Sequence, residues 1–437
     1  MTKKSSRRDF VKRSASVVLG AVVLPQIIPS TAMGMGGKLP PSDRIVMGAI
    51  GVGSQGTSNL RNFIKLKGQV QYVAICDVDT GHLAQAKGIV DEANNNNDCR
   101  TYGDFREFLE KEKIDAVQIC LPDHWDAIIH ISSVNKKLDV YGEKPICRAI
   151  KEGQALVSAV KKNNVIWQTG QQQRSTANFH HAAELVINGR IGKIKSIVIN
   201  LLDGAKGIGT PPIMEVPKEL NWDMWLGPAL KVPYRGICHY EWRRILDYSG
   251  GRVTDWAGHH IDMANWGAGL DNTGPIEISG KGVYPREGIY DVPIEFDILC
   301  KYANGIEMRI ANQSRLIHEL SATTWYGEKG WINVDRGSTT ASDPKILEEV
   351  IGDDEIRLYK SDNHHQNFID CVRSRKETIA PIGVAFRAIS VALLGEIATT
   401  TGQTIKWDPD KEEIIGNPMA SRLLSRPYRE PWVLPTV

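Results

Sequence analysis

The sequence has no excess charge of either sign: 53 lysines and arginines stand against 51 aspartates and glutamates, a net of +2. Such a balance supplies no long-range field to gather DNA, RNA or an anionic membrane, so nucleic acid is not an expected partner. Paired cysteine spacing is also missing. Cys76, Cys99, Cys120, Cys147, Cys238, Cys300 and Cys371 are scattered and odd in number, which excludes a zinc ribbon, a Cys-x-x-Cys redox motif and a complete disulfide framework, and no metal is expected. Several sit in apolar runs, as in Val-Ala-Ile-Cys76 and Val-Gln-Ile-Cys120, where a thiol behaves as a small buried hydrophobe. Internal repeats are absent, and low complexity is confined to residues 94–97. The apolar stretch from Ala15 to Ile28 is too short, and too broken by Pro25, to make a stable bilayer span.

What the chain does have is length. Its 437 residues exceed one ordinary core, so two domains behind an N-terminal appendage are expected. The appendage runs Ser6-Arg7-Arg8-Asp9-Phe10-Val11-Lys12, then the apolar stretch, then small residues around Ser30-Thr31-Ala32. Basic head, short apolar region and small-residue exit are the order of a bacterial export signal. The twin arginines followed by Phe and Lys resemble the twin-arginine export motif, departing at Val11 where Leu is usual. That resemblance implies a signal peptide over residues 1–34, the twin-arginine machinery as a partner, and a folded, cofactor-loaded protein delivered to the periplasm or otherwise exported.

From Arg44 to Thr169, apolar β-rich runs alternate with helical patterns, which predicts an α/β Rossmann domain over residues 42–170 with a doubly wound parallel sheet. Beyond Gly189 the runs 195–202, 276–282, 294–302, 306–313 and 322–326 read as strands, with Ala303-Asn304-Gly305 as a hairpin turn. Residues 171–437 are therefore expected to form an α+β domain on a largely antiparallel open sheet. A long Trp-, Pro- and Gly-rich stretch separates its first two strands, and such lengths usually serve function. Helical patterns at 365–375 and 384–400 follow, and the later one or both are allowed to return to the cofactor domain.

Gly51-Val52-Gly53-Ser54-Gln55-Gly56 follows the first predicted strand and opens the first predicted helix. In that context Gly51 permits a tight turn, Gly53 lets the backbone approach a pyrophosphate, and Gly56 lets helix and strand pack closely, with Ser54 and Gln55 at the helix N-terminus. Asp77 ends the second strand, where its carboxylate would accept from ribose hydroxyls and repel a 2′-phosphate. NAD is the expected cofactor, tightly bound, with NADP disfavoured.

Leu121-Pro122-Asp123-His124 after the fourth strand and Gly142-Glu143-Lys144-Pro145 after the fifth resemble two landmarks of the Gfo/Idh/MocA family, the glucose-fructose oxidoreductase and inositol dehydrogenase group. The resemblance adds Pro122, His124, Glu143 and Lys144 to the cofactor site and puts Lys144 beside the substrate hydroxyl. Farther on, a helix beginning near Asp255 would set Asp255, His259, Asp262 and Trp266 on one face, one imidazole between two carboxylates. A histidine of near-neutral pKa suits removal of a hydroxyl proton. The residues alone leave open that Asp255 is only an N-cap and His259 a buried histidine. Similarity to the family's Asp-x-x-x-His pattern implies that His259 is the acid/base and Asp255 its neighbour, with Lys144 assisting. A zinc reading of His259, His260 and Asp262 with His239 lacks the usual ligand set.

Arg174, Trp225, Tyr234, Asp262 and His365 are weaker substrate candidates. The implied function is hydride transfer between a secondary alcohol of a sugar or cyclitol and bound nicotinamide. The alternative on the same scaffold is a redox-neutral, NAD-dependent glycoside hydrolase working through a 3-keto intermediate, and a catalytically silent NAD- or sugar-binding protein is opposed by the joint presence of Lys144, Asp255 and His259. A homo-oligomer, dimer or tetramer, is expected as in the family.

Overall fold

The computed structural model describes residues 43–66, 68–316 and 319–437; the export signal expected over residues 1–34, and residue 42, lie outside them. The unbroken apolar runs of the first half become strands covered on both faces. β1 (Ile45–Ile50), β2 (Val70–Cys76), β3 (Arg100–Tyr102), β4 (Ala116–Ile119), β5 (Asp139–Gly142) and β6 (Trp167–Thr169) form one sheet in the order β3-β2-β1-β4-β5-β6. Every pairing is parallel, and the intervening helices are the crossovers. The strand order reverses between β1 and β4, so the chain leaves their C-terminal ends in opposite directions and opens a crevice there.

The second sheet has nine strands in the order β13-β12-β11-β7-β10-β9-β8-β14-β15. They are β7 (Ile194–Leu201), β8 (Glu277–Val283), β9 (Glu295–Lys301), β10 (Glu307–Asn312), β11 (Ala322–Gly327), β12 (Trp331–Asp335), β13 (Ser338–Ala341), β14 (Ile405–Asp408) and β15 (Glu413–Ile414). Only β7 and β10 pair in parallel; the other pairings are antiparallel. The β9–β10 hairpin turns at Gly305, whose φ of 87° suits glycine. Phe296, Ile298 and Cys300 of β9 are buried while Asp297, Leu299 and Lys301 alternate onto a partly exposed face. The helices Ala177–Ile187, Trp256–Ala268 and Ile382–Thr401 pack on this sheet. Strands β12 to β15 and the helix Ala177–Ile187 were not among the expected elements, because their short runs lack a clear period.

Among the described residues, Ile382–Thr401 is the one helix long and apolar enough to cross a membrane, and 78% of its apolar window is buried inside this protein. It is a core helix, packed on β8, β9 and the helices Trp256–Ala268 and Ile150–Asn163, so it ties the two sheets together. The helix His364–Ser374 returns to the parallel half, where Phe368 meets Phe63 edge-on at 5.9 Å.

This core buries imidazoles that burial holds in the neutral state: His124, His130 and His364 are pushed down to about 3, His260 and His365 to about 4. An unfolded histidine titrates near 6.5, so below that pH the unfolded chain binds protons that the folded protein refuses, and stability present above 6.5 is lost as pH falls. Each contributes about 1.4 kcal/mol per pH unit in that window. Buried Asp123, pushed up to about 6, and Asp126, also raised, offset part of this by holding protons in the fold. Thermal melts should therefore show a midpoint that declines steadily from pH 7 to pH 5; a flat profile would mean that these rings are not buried and neutral.

Candidate functional site

The crevice at the C-terminal ends of β1, β2 and β4 is a cleft of about 900 Å³ lined by Gly51, Gly53, Ser54, Gln55, Gly56, Asp77 and Pro122. Two of the glycines answer to the protein itself. A Cβ on Gly51, whose φ is 80°, would strike the carbonyl oxygen of Cys120, and one on Gly56 would strike that of Gly51. Gly53 is different: a Cβ there would find its nearest neighbour, the His82 ring, 3.6 Å away. Protein packing leaves that room free, and Gly53 caps the helix Ser54–Ile64 with no side-chain hydrogen bond. The cradle thus fits a dinucleotide pyrophosphate at a helix N-terminus. Asp77 accepts from the Val52 backbone N–H at 2.8 Å and from that of Asp79 at 3.0 Å, locking the turn to the end of β2. His82 Nδ1 lies 3.6 Å from Asp77, which holds this imidazole above its ordinary value.

The long stretch after β7 closes over this cleft. Asn221 donates its backbone N–H to Val78, and Thr80 donates to Glu219, both at 2.9 Å. Trp225, stacked on Trp222 at 4.9 Å, lines the cleft. Leu220, Tyr234, Cys238, Trp242 and Tyr248 complete a small apolar cluster of their own. His239 reaches Asp79 at 3.5 Å, and the possible ligand atoms of Asp79, His82 and His239 lie within 4.8 Å of one another.

A second cleft, of about 1190 Å³, opens alongside and shares Gln55 with the first. Lys144, just past β5, pairs here with Asp255, the N-cap of the helix Trp256–Ala268. Asp255 makes no side-chain cap; its carboxylate faces Lys144 and, at 3.7 Å, Arg243. Burial opposes its charge, yet Lys144 and Arg243 outweigh burial and hold it at about 2. One turn along, His259 Nδ1 lies 3.0 Å from Gln171 Oε1, and Gln171 Nε2 donates to the Gly258 carbonyl at 3.4 Å. The amide is thereby oriented, so Nδ1 carries the hydrogen and Nε2 keeps its lone pair. Burial first, then the nearby charges of Lys144 and Arg336, press His259 well below its usual range. Glu143 is buried, its pKa raised by desolvation, and accepts from Asn59 at 2.8 Å and Gln172 at 2.9 Å.

Several expectations need correction. His259 is not held between two carboxylates, nor is it near neutral in pKa: the helix turns Asp262 away, and Arg174 binds Asp262 at 2.8 Å and Asp271 at 2.8 Å. Arg174 and Asp262 are 2% and 1% exposed and line neither cleft, so they are a buried structural pair rather than substrate ligands. Trp225 belongs to the cover of the first cleft, and Tyr234 packs edge-on against Trp222 at 5.2 Å. His365 stacks on Tyr141 at 5.2 Å and lies 3.3 Å from Asn59, behind Glu143. His124 is buried against the Trp225 carbonyl at 3.0 Å and lines neither cleft. The zinc grouping is dispersed, since His260 contacts Thr323 at 3.0 Å and His239 sits at the other cleft. Arg243, Arg336, Trp256 and Gln173 also line the second cleft; of these Gln173 lies beside a sequence candidate, Arg174, in the polar run Gln171-Gln172-Gln173-Arg174 after β6, and Trp256 beside another, Asp255.

Two family models match the chain. Residues 45–171 match "Oxidoreductase family, NAD-binding Rossmann fold" and residues 204–434 match "Oxidoreductase family, C-terminal alpha/beta domain". The chain belongs to the Gfo/Idh/MocA oxidoreductase family. It is therefore an oxidoreductase-family protein with an NAD-binding Rossmann domain, and the glycine cradle lies within that domain. Among curated relatives it is 30% identical over 159 residues to the myo-inositol 2-dehydrogenase of Thermotoga maritima, covering 36% of this chain and 46% of that one. It is 27% identical over 172 residues to a glycosyl hydrolase family 109 protein of a Shewanella species, covering 36% and 37%. The match thus spans less than half the length of either relative. The fold is that of the WlbA dehydrogenase from Bordetella pertussis, solved in complex with NADH and UDP-GlcNAcA: TM-score 0.62 at 16% identity, covering 84% of this chain and 99% of that one.

Removing Arg174 would leave Asp262 charged and buried without its partner. Arg174→Ala is expected to lower the unfolding free energy by about 3–5 kcal/mol, measured by denaturant titration. Wild-type stability with lost turnover would instead return Arg174 to the substrate site.

Proposed function

We propose that the protein oxidises or reduces a secondary alcohol of a sugar or cyclitol on a tightly held NAD. The observation that carries this reading is the meeting of Lys144, from the parallel sheet, with Asp255 and His259, from the second half, in a cleft that shares Gln55 with the nucleotide cradle. When bound, the nicotinamide supplies the hydride acceptor or donor. Lys144, anchored by Asp255, donates a hydrogen bond to the hydroxyl oxygen and stabilises charge as it develops there. Nε2 of His259 takes the hydroxyl proton, and Gln171 keeps the ring in the tautomer that can accept it. The backbone bonds that tie Glu219 and Asn221 of the cover to Thr80 and Val78 support slow release of the nucleotide. Asp77 supports preference for NAD over NADP through repulsion of a 2′-phosphate.

A second reading is favoured by the export-type N-terminus and by the likeness to glycosyl hydrolase family 109. Outside the cytoplasm a cofactor reduced and reoxidised within one cycle needs no external pool. Oxidation at ring C3 would acidify the C2 hydrogen, the glycosidic oxygen would leave, water would add, and the hydride would return to C3. The partly exposed face of the nine-stranded sheet supports a homo-oligomer. The export reading itself is testable: Arg7→Lys with Arg8→Lys should leave the protein in the cytoplasm by cell fractionation, and its continued appearance in the periplasm would overturn twin-arginine export.

His259→Ala should keep NAD affinity, because the cradle and Asp77 are untouched, and lower turnover by about two to four orders of magnitude. The depressed pKa adds a sign: the imidazole stays neutral through pH 6.5, so the wild-type rate should hold its plateau there and fall only at clearly more acid pH. Turnover within a few-fold of wild type, measured with the nucleotide bound, would make His259 structural and pass the proton to Lys144.

A further inference from the structure

The second cleft holds more positive charge than its carboxylates neutralise. Asp255 is shared by Lys144 and Arg243, and Glu143 is committed to the amides of Asn59 and Gln172. Arg336, at the turn between β12 and β13, lines the same cleft. Its guanidinium carbon lies 4.7 Å from the centre of the Trp256 ring, which Arg252 approaches at 5.8 Å. Neither Arg252 nor Arg336 has a carboxylate partner among the described residues. The adjacent Asp335 spends its oxygens on the Arg336 backbone N–H at 2.7 Å and on Ser321 at 3.1 Å. Arg148 and Arg190 are neutralised by Glu396 and Glu355, whereas Arg336 stands exposed at the rim of the cleft with no such partner among the described residues. An uncompensated guanidinium braced by an indole, at the rim of a catalytic cleft, is the arrangement that receives a carboxylate through two parallel hydrogen bonds.

A second, independent feature marks the cleft as built for a polar ligand. Gln173 lines it at 4% exposure, and both amide atoms are buried without a hydrogen-bond partner. Orphaned amides of this kind are rare in folded proteins and costly unless a ligand satisfies them. An amide that both donates and accepts suits vicinal hydroxyls.

We propose that the substrate is an acidic sugar, its carboxylate bound by Arg336 at the cleft rim, a hydroxyl bound by Gln173, and the hydroxyl to be oxidised placed at Lys144 and His259. The inference rests on the oxidoreductase reading above and narrows it from sugars at large to sugar carboxylates. It involves no step beyond hydride and proton transfer at the alcohol.

The test uses the full chain loaded with NAD and follows reduction of the bound cofactor at its near-ultraviolet absorbance band. The probes are D-glucuronate and D-galacturonate, each against its neutral hexose, with myo-inositol as a further neutral polyol. The acids are expected to act at a KM about 10- to 100-fold below the matched hexoses, the worth of one charge-assisted hydrogen-bonded pair. Arg336→Ala should raise KM for the acids by a similar factor with a much smaller change in kcat, collapsing the preference, and Arg336→Lys should restore part of it. Equal use of acid and neutral sugars, or a preference that survives Arg336→Ala, would overturn the carboxylate assignment while leaving the oxidoreductase reading intact. Failure of every acid, hexose and polyol to reduce a cofactor shown to be bound would overturn both.

Discussion

Lys144 leaves the end of β5 and Asp255 opens a helix 111 residues later, and the ion pair they form is the constraint on which the second cleft depends. The pair fixes where that helix begins relative to the parallel sheet. Because Asp255 is committed to Lys144, it does not cap its own helix, and the next turn is left to present His259. Gln171, immediately after β6, then receives the imidazole. One ion pair and one amide thus assemble a reactive group from two sheets. Breaking the pair would leave a charge in a largely desolvated place, so the proposed catalytic arrangement and the joint between the two halves of the protein rest on the same bond.

Around that joint the cleft beside the glycine turn is enclosed by a segment that contributes little to the sheet cores. The stretch after β7 keeps its aromatic residues for its own cluster and attaches to the β2 loop through backbone groups. Backbone attachment does not depend on particular side chains, so the segment can vary in sequence and still lie where it does. Trp222 and Trp225 stack on each other within that cluster.

The cofactor half was legible in the sequence because its signals are local. A strand, a glycine turn, a helix and an acidic strand end follow one another within a few dozen residues, and the apolar periods are long enough to read. The second half was legible where strands exceed about six residues and hairpin chemistry marks their ends, and obscure for β12 to β15, which are short. The helix Trp256–Ala268 shows the limit of spacing arguments. Asp255, His259 and Asp262 have the right intervals for one face, yet the carboxylate nearest in sequence order on the far side of the histidine is claimed by Arg174, a residue 88 positions away. No local pattern announces that partner. Arg336 escaped for the same reason, since it enters the cleft from a turn far along the chain, and Arg243, on the short 3-10 helix Glu241–Arg244, has no motif around it. The downward displacement of the His259 pKa was equally out of reach, because burial is a tertiary property.

The three glycines of the cradle, alike in the motif, are held by different pressures. Gly51 and Gly56 are demanded by the chain's own carbonyls, so any side chain there damages folding with or without ligand. At Gly53 a Cβ would meet only the His82 ring, at an ordinary contact distance of 3.6 Å. A selection for folded, soluble protein would therefore guard two of these positions and be blind to the third. Drift at Gly53 would then leave the fold intact while crowding the cradle, so that on the nucleotide reading proposed above a single residue separates a loaded chain from an empty one.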